Sequence, residues 1–378
     1  MNVFVGRGWL RMPEMSIEEI GERIGRAADY SDLRTIRDTV QRQLEDRTPS
    51  GRIEIETFIV NAFHDALIKR TVALAEAKLA QDGMGPPPVS YGYLLFGSGG
   101  REEQTLWSDQ DSGLVYEDTE DARCEAAAYF AALSDEIVAG LEKVGYPPCD
   151  GNVLCNNPLW QNSAADWERR LSEWVEGAEW ENVRQLLIVA DGRLLYGNAD
   201  LLRRVKRKLY ALVEEHPAIL TNMLRNTLRH KVLIGIFGQI ILEQYGEDAG
   251  GVDIKYGAYI PMVNAVRLLA IQYGIEHTAT LPRLEALRQI GAITAEQAET
   301  YSDAFRFILQ MRAMTYHDIE DGRYTTSGKL PYKKLTKEQK DELKKSLQIG
   351  KQLQRHVQKS ATKHPVDGGH QGVNRHER

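Results

Sequence analysis

Most apolar positions in the chain recur at intervals of three and four residues. The first segments with this spacing cover residues 16–28, 31–44 and 57–79. Such spacing predicts amphipathic helices with one buried face. Ser16 and Glu19 match a capping box at the start of the first helix. The pattern leaves two interpretations open, a helical bundle that packs on the following core and a regulatory or protein-contact module.

Two short segments interrupt the helical pattern and predict strands. Residues 94–96 are apolar and end at a glycine-rich turn, residues 97–100, and residues 113–116 are apolar after a polar stretch. Short apolar runs bounded by turn residues are typical of buried strands. Between them, residues 101–107 are polar and predict one helical turn.

A third apolar run covers residues 186–190 and ends at Asp191. This pattern predicts a central buried strand that delivers a carboxylate to the edge of a sheet. A buried carboxylate is costly without a partner, and a metal ion would supply one. An ordinary Asp-Gly turn between two strands is the alternative interpretation.

The remaining periodic segments predict helices, and after residue 201 no strand pattern follows. Short connections between long helices are typical of an antiparallel bundle. The predicted fold class is therefore α+β, a small mixed sheet flanked by an N-terminal helical segment and a C-terminal antiparallel helical bundle. The helices are predicted over residues 121–144, 160–180, 201–213, 219–245, 259–273, 284–290, 295–316 and 336–357.

Composition excludes several classes of protein. With 47 basic and 54 acidic side chains the formal net charge is −7, which implies no general nucleic-acid-binding field. Three cysteines are too few for a disulfide framework, and their spacing with the nine histidines matches no zinc motif. No run approaches the roughly 18 apolar residues of a membrane span, and the N-terminus lacks a secretory core. We expect a cytoplasmic protein without nucleic-acid or membrane partners.

The glycine-rich turn and the residues after it carry the candidate chemistry. Glycine lets backbone N–H groups approach an anion closely, which suits a phosphate at residues 97–100. Asp109 and Asp111 are two residues apart, so in a strand both carboxylates would face the same side. Such like charges repel unless a cation binds between them, and Mg²⁺ prefers carboxylates together with phosphate oxygens. Each motif alone is more often an ordinary turn, but the combination indicates a nucleotide and metal site.

The order of these motifs resembles that of a known superfamily. Gly97-Ser98, followed after a short helix by Asp109 and Asp111, resembles the signature of polymerase-beta-type nucleotidyltransferases. The longer string GSGGREEQTLWSDQD, residues 97–111, is similar to a bacterial nucleotidyltransferase family of the domain-of-unknown-function 294 type. That family is related to the catalytic domain of PII-protein uridylyltransferase.

Two further strings extend the resemblance over most of the chain, from about residue 57 to residue 354. VNAFHDALIKRTVALAEAKL, residues 60–79, resembles an N-terminal helix of the family. DIKYGAYIPMVNAVRLLA, residues 253–270, resembles its C-terminal substrate-binding domain. The resemblance implies a nucleoside triphosphate (NTP) substrate and Mg²⁺ as cofactor, with two ions expected and Mn²⁺ as a substitute.

The resemblance also implies roles for individual residues. Asp109 and Asp111 are expected to bridge the metal ions. Asp191 is expected to be the third carboxylate, which binds the metal ion on the acceptor side and accepts the proton of the attacking hydroxyl. Arg101 is expected to neutralise phosphate, and Glu103 to pair with it or to support the metal site. A surface ion pair is the alternative for these two residues. The expected nucleotide-binding residues are Gly97, Ser98, Arg101, Glu103, Ser108, Arg193 and Lys255. For Lys255, which lies in a loop, a solvated side chain is the alternative to a phosphate contact.

The domain organisation follows from the same patterns. The last segment is polar and rich in Gly and His, which predicts disorder. The predicted domains are an N-terminal helical region with a proline-rich linker (1–88), a nucleotidyltransferase domain (89–200), a helical substrate-binding domain (201–359) and a disordered tail (360–378).

Two functions remain open at this level. The first is an enzyme that transfers a nucleoside monophosphate (NMP) from an NTP to a hydroxyl of a protein or small molecule, similar to uridylyltransferases in signalling. The second is a nucleotide-sensing regulatory module without turnover. The sequence favours the enzyme because all three expected carboxylates are present. It leaves open the acceptor, the base of the nucleotide and the oligomeric state.

Overall fold

The structure is a computed structural model, and its N-terminal part is helical as predicted. The first helices are α1 (Ile17–Arg26), α2 (Tyr30–Glu45) and α3 (Ile53–Gln81). Ser16 of the predicted capping box lies outside the described residues. The structure describes residues 17–45, 53–119, 123–235, 237–246, 248–315, 317–320 and 323–363.

The main sheet has four strands in the part of the chain that the structure describes, in the order β3-β2-β1-β4. Strand β1 (Tyr91–Leu95) pairs antiparallel with β2 (Ser112–Tyr116) and with β4 (Arg193–Gly197). The short strand β3 (Gln161–Ser163) adds to β2 in parallel. Every residue of β1 and β2 is buried, because both faces of the sheet are covered. The α+β class with a small mixed sheet is thus confirmed.

Helices surround this sheet and continue into the C-terminal part. Residues Gly97–Gly100 form a single helical turn, α4, directly after β1. A π-helical turn, Lys255–Tyr259, precedes α10, and a 3₁₀ turn, Tyr332–Lys334, precedes the last helix. The other helices are α5 (Arg123–Val144), α6 (Ala164–Gly177), α7 (Trp180–Ala190), α8 (Ala199–Glu215), α9 (Ile219–Thr227), α10 (Ile260–Gln272), α11 (Thr280–Gln289), α12 (Ala295–Ala313) and α13 (Lys337–Lys363).

Short strands also occur in the C-terminal part, where none was predicted. Strand β5 (Gly251–Asp253) pairs with β8 (Lys329–Pro331), and β6 (His317–Glu320) pairs with β7 (Arg323–Thr326). The prediction of helices without strands is therefore wrong after residue 250. The β5–β8 pair matters for the site because the π-helical turn comes directly after β5 in the chain.

The hydrophobic core is divided by the sheet. Side chains alternate along a strand, so Leu94 and Tyr93 of β1 enter different clusters. The smaller cluster joins helices α1 to α3 and α5 to one face. The larger cluster extends from Leu94 to Val357 and joins the other face to the C-terminal helices. The predicted boundary at residue 200 stays a prediction, and apolar packing is continuous across it.

Two predicted elements around the site are wrong. Residues 186–190 are the end of helix α7, not a strand, and Asp191 is the residue that caps this helix. The strand comes after Asp191, as β4. The helical turn predicted for residues 101–107 is also wrong, since the glycines of α4 form the helical turn instead.

Three further boundaries differ from prediction. The helix predicted over residues 219–245 ends at Thr227. The helix predicted over residues 160–180 is divided into β3, α6 and the start of α7. Helix α13 continues to Lys363, so disorder from residue 360 is wrong for its first four residues, and the remainder of that tail lies outside the described residues.

None of the helices described by the structure combines the length and the apolar character that a membrane crossing requires.

Trp167 tests the packing of helix α6 against the sheet. Its side chain is fully buried beside Trp160 and Trp174, and its indole N–H donates to the carbonyl of Leu114 in β2 at 3.1 Å. We expect Trp167→Phe to lower the free energy of unfolding by about 2 kcal/mol, because it removes this hydrogen bond and leaves a cavity. Urea unfolding followed by circular dichroism measures the change. The matched substitution Trp180→Phe, at a half-exposed ring, should change little, and equal effects would contradict the prediction.

Candidate functional site

Asp111 and Gly97 are in direct contact where β1 ends and β2 begins. The backbone N–H of Phe96 donates to the carbonyl of Asp111 at 2.9 Å. Gly97 has φ +52°, and a Cβ added there would lie 2.1 Å from Asp111 Oδ2. Only glycine therefore fits against this carboxylate. The contact agrees with the predicted proximity of the carboxylate and the glycine turn, although both aspartates precede the strand.

The charge of Asp109 influences the ionisation of Asp111. Desolvation, followed by the charge of Asp109, raises the pKa of Asp111 to about 7. A hydrogen bond from the Cys149 thiol and the charges of Arg101 and Lys255 act in the opposite direction. Near neutral pH the pair therefore holds a proton that a bound cation would displace.

A small cavity lies beside the two carboxylates. Its volume is about 10 Å³, which is room for about one water molecule. A nucleotide that reaches the carboxylates therefore has to bind on their outer side. The polar side chains that line this cavity are Tyr93, Ser98, Gln104, Asp109, Gln110, Asp111 and Tyr146.

Asp191 is bound by three arginines. Its Oδ2 accepts from Nη1 of Arg101 and from Nη1 of Arg267, each at 2.7 Å, and its Oδ1 accepts from Nη1 of Arg283 at 2.7 Å. Burial alone would raise the pKa of Asp191, but the charges of these arginines outweigh burial and hold the pKa below its usual range. Gly100 lies against the backbone of Asp191, where an added Cβ would be 2.1 Å from the carbonyl oxygen.

The expected convergence of three carboxylates is therefore wrong for the described structure. Both oxygens of Asp191 already accept from guanidinium groups. Among the residues that the structure describes, no group of three or more His, Cys, Asp or Glu side chains is arranged to hold a metal ion. The carboxylates available for a cation are those of Asp109 and Asp111.

Glu103 connects the same network to the C-terminal helices. Its Oε2 accepts from Nε of Arg101 at 2.9 Å and from the hydroxyl of Tyr259 at 2.5 Å. Its Oε1 accepts from the backbone N–H of Thr280 at 2.8 Å, and its carbonyl accepts from Arg312 at 2.6 Å. The expected pair of Arg101 and Glu103 is present, but it is buried and not a surface pair.

Two predicted nucleotide ligands, Arg101 and Arg193, have protein partners instead. Arg101 uses Nε, Nη1 and Nη2 for Glu103, Asp191 and Tyr259, which differs from the expected phosphate contact. Arg193 donates to both oxygens of Asp65 at 2.8 Å and to the carbonyl of Gly99 at 2.9 Å. Arg193 thus ties helix α3 to the glycine turn.

Ser108 and Lys255 are placed differently from these arginines. Ser108 is buried, and its hydroxyl accepts from the Gln104 amide at 3.1 Å. Lys255 is the first residue of the π-helical turn, and its charge lowers the pKa of Asp111. Lys255 is the one predicted nucleotide-binding residue in the C-terminal part, and its charge acts on Asp111 from there.

Helix α3 fixes the loop between the glycine turn and the aspartates. Asn61 accepts from the backbone N–H of Gln104 at 3.0 Å, and His64 Nε2 lies 2.9 Å from the carbonyl of Thr105. Burial and the charge of Arg37 lower the pKa of His64 to about 3, so the ring is neutral at pH 7. Because a carbonyl only accepts, Nε2 carries the proton. These contacts favour the packing interpretation of the N-terminal helices.

Sequence reasoning missed the arginines that hold Asp191. Arg267 lies in the apolar helix IPMVNAVRLLAIQ, and a single charge in such a sequence indicates a buried partner. Arg283 gives no comparable signal, since α11 is a mixed helix. The contact of Cys149 with Asp111 was also missed, because it depends on how the loop after α5 folds back.

Removal of Arg283 tests the buried network. The side chain is fully buried, so Arg283→Met would leave Asp191 with one carboxylate oxygen unpaired. We expect a loss of about 3 kcal/mol in the free energy of unfolding, because breaking a buried ion pair exposes the desolvation cost of its partner. Urea unfolding gives the value. Arg288→Met, on the same helix but in an exposed pair with Glu285, should change stability little, and a similar loss in both variants would contradict the assignment.

The pKa of Asp111 in the metal-free protein is a second test. We expect Asp109→Asn to lower this pKa from about 7, because it removes the neighbouring charge. A raised pKa means that the folded state binds more protons than the unfolded state between pH about 4 and pH 7. Stability from this group is thus present at low pH and is lost as the pH rises through 7. Carboxyl ¹³C NMR titration measures the pKa, the surface variant Asp341→Asn is the control, and an unchanged pKa in Asp109→Asn would show that the two groups are not coupled.

Comparison with known families agrees with this geometry. No curated protein matches the chain. Residues 34–181 match the family model described as "Putative nucleotidyltransferase DUF294", and residues 217–361 match "Putative nucleotidyltransferase substrate binding domain". The first match includes the glycine turn and both aspartates, and the second includes the π-helical turn and the arginines of α10 and α11. The chain therefore belongs to the nucleotidyltransferase family that these two models describe.

Proposed function

We propose that the protein is a Mg²⁺-dependent nucleotidyltransferase that moves an NMP group from an NTP to a hydroxyl of a protein or small molecule. The observation that carries this proposal is the contact of Asp111 with Gly97. This contact places the carboxylate pair and the glycine turn side by side on one surface. The family match supports the same reaction class.

The glycine turn supplies donors for phosphate. The first amides of a helical turn have no acceptor within the helix. In α4 these amides belong to small residues, so a phosphate can approach the backbone closely. The positive charge of Lys255 acts on the Asp111 carboxylate, and we assign this lysine to the phosphates. A triphosphate would therefore meet backbone donors and one lysine.

The carboxylate pair fits a magnesium ion. Mg²⁺ binds through one or two carboxylates together with substrate phosphate oxygens, and Asp109 and Asp111 offer that set. Burial and the charge of Asp109 raise the pKa of Asp111, and a bound cation would oppose both effects. When bound, Mg²⁺ would supply charge neutralisation at the phosphates and activation of the attacking hydroxyl. The expected arrangement of two Mg²⁺ ions required Asp191 as a ligand. We therefore assign the metal site to Asp109 and Asp111.

Asp191 would act by position and not as a base. Its pKa is held low by three guanidinium groups, which makes its carboxylate a poor proton acceptor. Its backbone lies against Gly100, and its side chain fixes Arg101. Asp191 would thereby hold the glycine turn in place. Positioning of this kind contributes much of the rate in phosphoryl-type transfer.

A nucleotide sensor without turnover is the second candidate. The observation that favours it is the engagement of both Asp191 oxygens by arginines, which leaves two carboxylates where three were expected. Such a site could still bind a nucleotide and Mg²⁺. In this case the resemblance to uridylyltransferases would extend to binding alone.

The two candidates differ in the release of pyrophosphate. We expect the full chain, incubated with α-labelled ATP, UTP, CTP or GTP, Mg²⁺ and cell extract, to release pyrophosphate and to label an acceptor. EDTA should abolish labelling, and added Mg²⁺ or Mn²⁺ should restore it. We expect Asp111→Asn to reduce the rate at least about 100-fold, because it removes half of the metal ligands.

The surface variant Asp341→Asn serves as the matched control and should keep full activity. Nucleotide binding without pyrophosphate release from any of the four NTPs would support the sensor. The absence of both binding and release would overturn both candidates. Mass spectrometry of the labelled acceptor would identify its chemical class.

A further inference from the structure

A groove lies where the end of α10, the start of α12 and the end of α13 meet. Its volume is about 570 Å³, which is in the range of pockets that hold small organic molecules. It shares no lining residue with the small cavity beside Asp109 and Asp111. We call it the basic groove, and the main polar residues that line it are Tyr273, Gln297, Tyr301, Arg355, His356 and Lys359.

The basic groove carries positive charge without a balancing carboxylate. Of the described residues that line it, Arg355 and Lys359 are cationic and none is acidic. These two residues are four positions apart on α13, so they lie on the same face of the helix, one turn from each other. Like charges at this spacing repel, and no ion pair joins Arg355 to another residue that the structure describes. A bound anion would remove this repulsion.

The neighbouring polar groups also suit an anion. The amide oxygen of Gln297 accepts from the backbone N–H of Thr294 at 2.9 Å, so the NH₂ group is what Gln297 can offer to a ligand. Burial, followed by the charge of Lys359, lowers the pKa of His356, so its ring is neutral at pH 7. The groove therefore presents two cations and an amide donor.

Aromatic rings line another part of the basic groove. The Tyr301 ring is buried, and its hydroxyl lies 3.3 Å from Nδ1 of His356. Tyr273, the residue that caps the end of α10, is 37% exposed and can pack against the face of a bound ring. The groove is also much larger than a single phosphate. Its lining therefore fits an organic anion better than an inorganic one.

We propose that the basic groove is a second ligand site, which binds a small organic molecule with a phosphate monoester and an aromatic ring. A phosphate monoester carries a charge of roughly −1.5 to −2 at pH 7, which matches the two cations Arg355 and Lys359. The planar guanidinium of Arg355 can bind two phosphate oxygens at once, and Tyr273 would pack against the ring. This inference does not depend on the proposed function, because neither Asp109 nor Asp111 takes part.

Binding of phosphate probes to the full chain in EDTA tests the basic groove. ³¹P NMR line broadening measures the affinity for phenyl phosphate, adenosine monophosphate (AMP) and inorganic phosphate. We expect the wild type to bind both organic phosphates more tightly than inorganic phosphate. Tighter binding of AMP would identify a nucleotide as the ligand, and tighter binding of phenyl phosphate would identify another aromatic phosphate.

Substitutions locate the bound probe. Arg355→Gln and Lys359→Gln should each weaken phenyl phosphate binding at least about five-fold, because a charge-assisted hydrogen bond contributes on this scale. Both side chains are exposed, so the fold should be kept. Tyr273→Ala should weaken phenyl phosphate binding and leave that of inorganic phosphate unchanged. Lys337→Gln removes an exposed charge at the other end of α13 and should bind all probes like wild type.

Four results would overturn the inference. The first is that the wild type binds none of the probes, and the second is that Arg355→Gln and Lys359→Gln bind phenyl phosphate like wild type. The third is a loss in Lys255→Ala without a loss in Arg355→Gln, which would assign the probe to the proposed nucleotide site. The fourth is displacement of phenyl phosphate by an equal concentration of hexaglutamate, which would assign the groove to an acidic protein segment. The proposed function is tested separately, since EDTA removes the Mg²⁺ that it requires.

Discussion

The arrangement of the site depends on one interaction, the ion pairs of three arginines with the carboxylate of Asp191. Each charge would be costly to bury alone, and here both oxygens of Asp191 accept from guanidinium groups. Its members come from the segment after the glycine turn, from the end of α7, and from α10 and α11. The glycine turn, the end of α7 and the π-helical turn therefore hold fixed positions relative to one another.

The same interaction changes the chemistry that the site can perform. A carboxylate whose pKa is held low by three guanidinium groups is a poor proton acceptor. Asp111 differs, because burial and the charge of Asp109 raise its pKa more than its neighbours lower it. The described structure thus contains two kinds of carboxylate, one paired with arginines and one with a raised pKa.

The local sequence pattern was sufficient for some elements and not for others. Strands β1 and β2 and the long helices were predicted because their periodicity or their bounding turn residues were clear. The run LLIVA was predicted as a strand, since a short apolar run does not distinguish a buried strand from the end of a buried helix. In the structure, α7 begins at Trp180, and the polar residues before the run belong to the same helix.

The candidate site shows the same limit. The proximity of Gly97 and Asp111 was predictable. Gly97 comes after β1, Asp111 comes before β2, and these two strands are paired and consecutive in the sequence. The partners of Asp191 were not predictable, since Arg267 and Arg283 lie 76 and 92 residues away and reach it only through the packing of the C-terminal helices. Lys255 was identified through the resemblance, whereas the basic groove became visible only in three dimensions.

The continuity of the buried network across the two matched segments has a consequence for recombination within the family. Glu103 and Asp191 stand on one side of residue 200, while Tyr259, Arg267 and Arg283 stand on the other. In a chimera with one half from a relative, the buried charges would be paired only if the two halves supplied complementary residues at the same buried positions. Exchange between relatives is thus restricted to halves whose buried charges are matched.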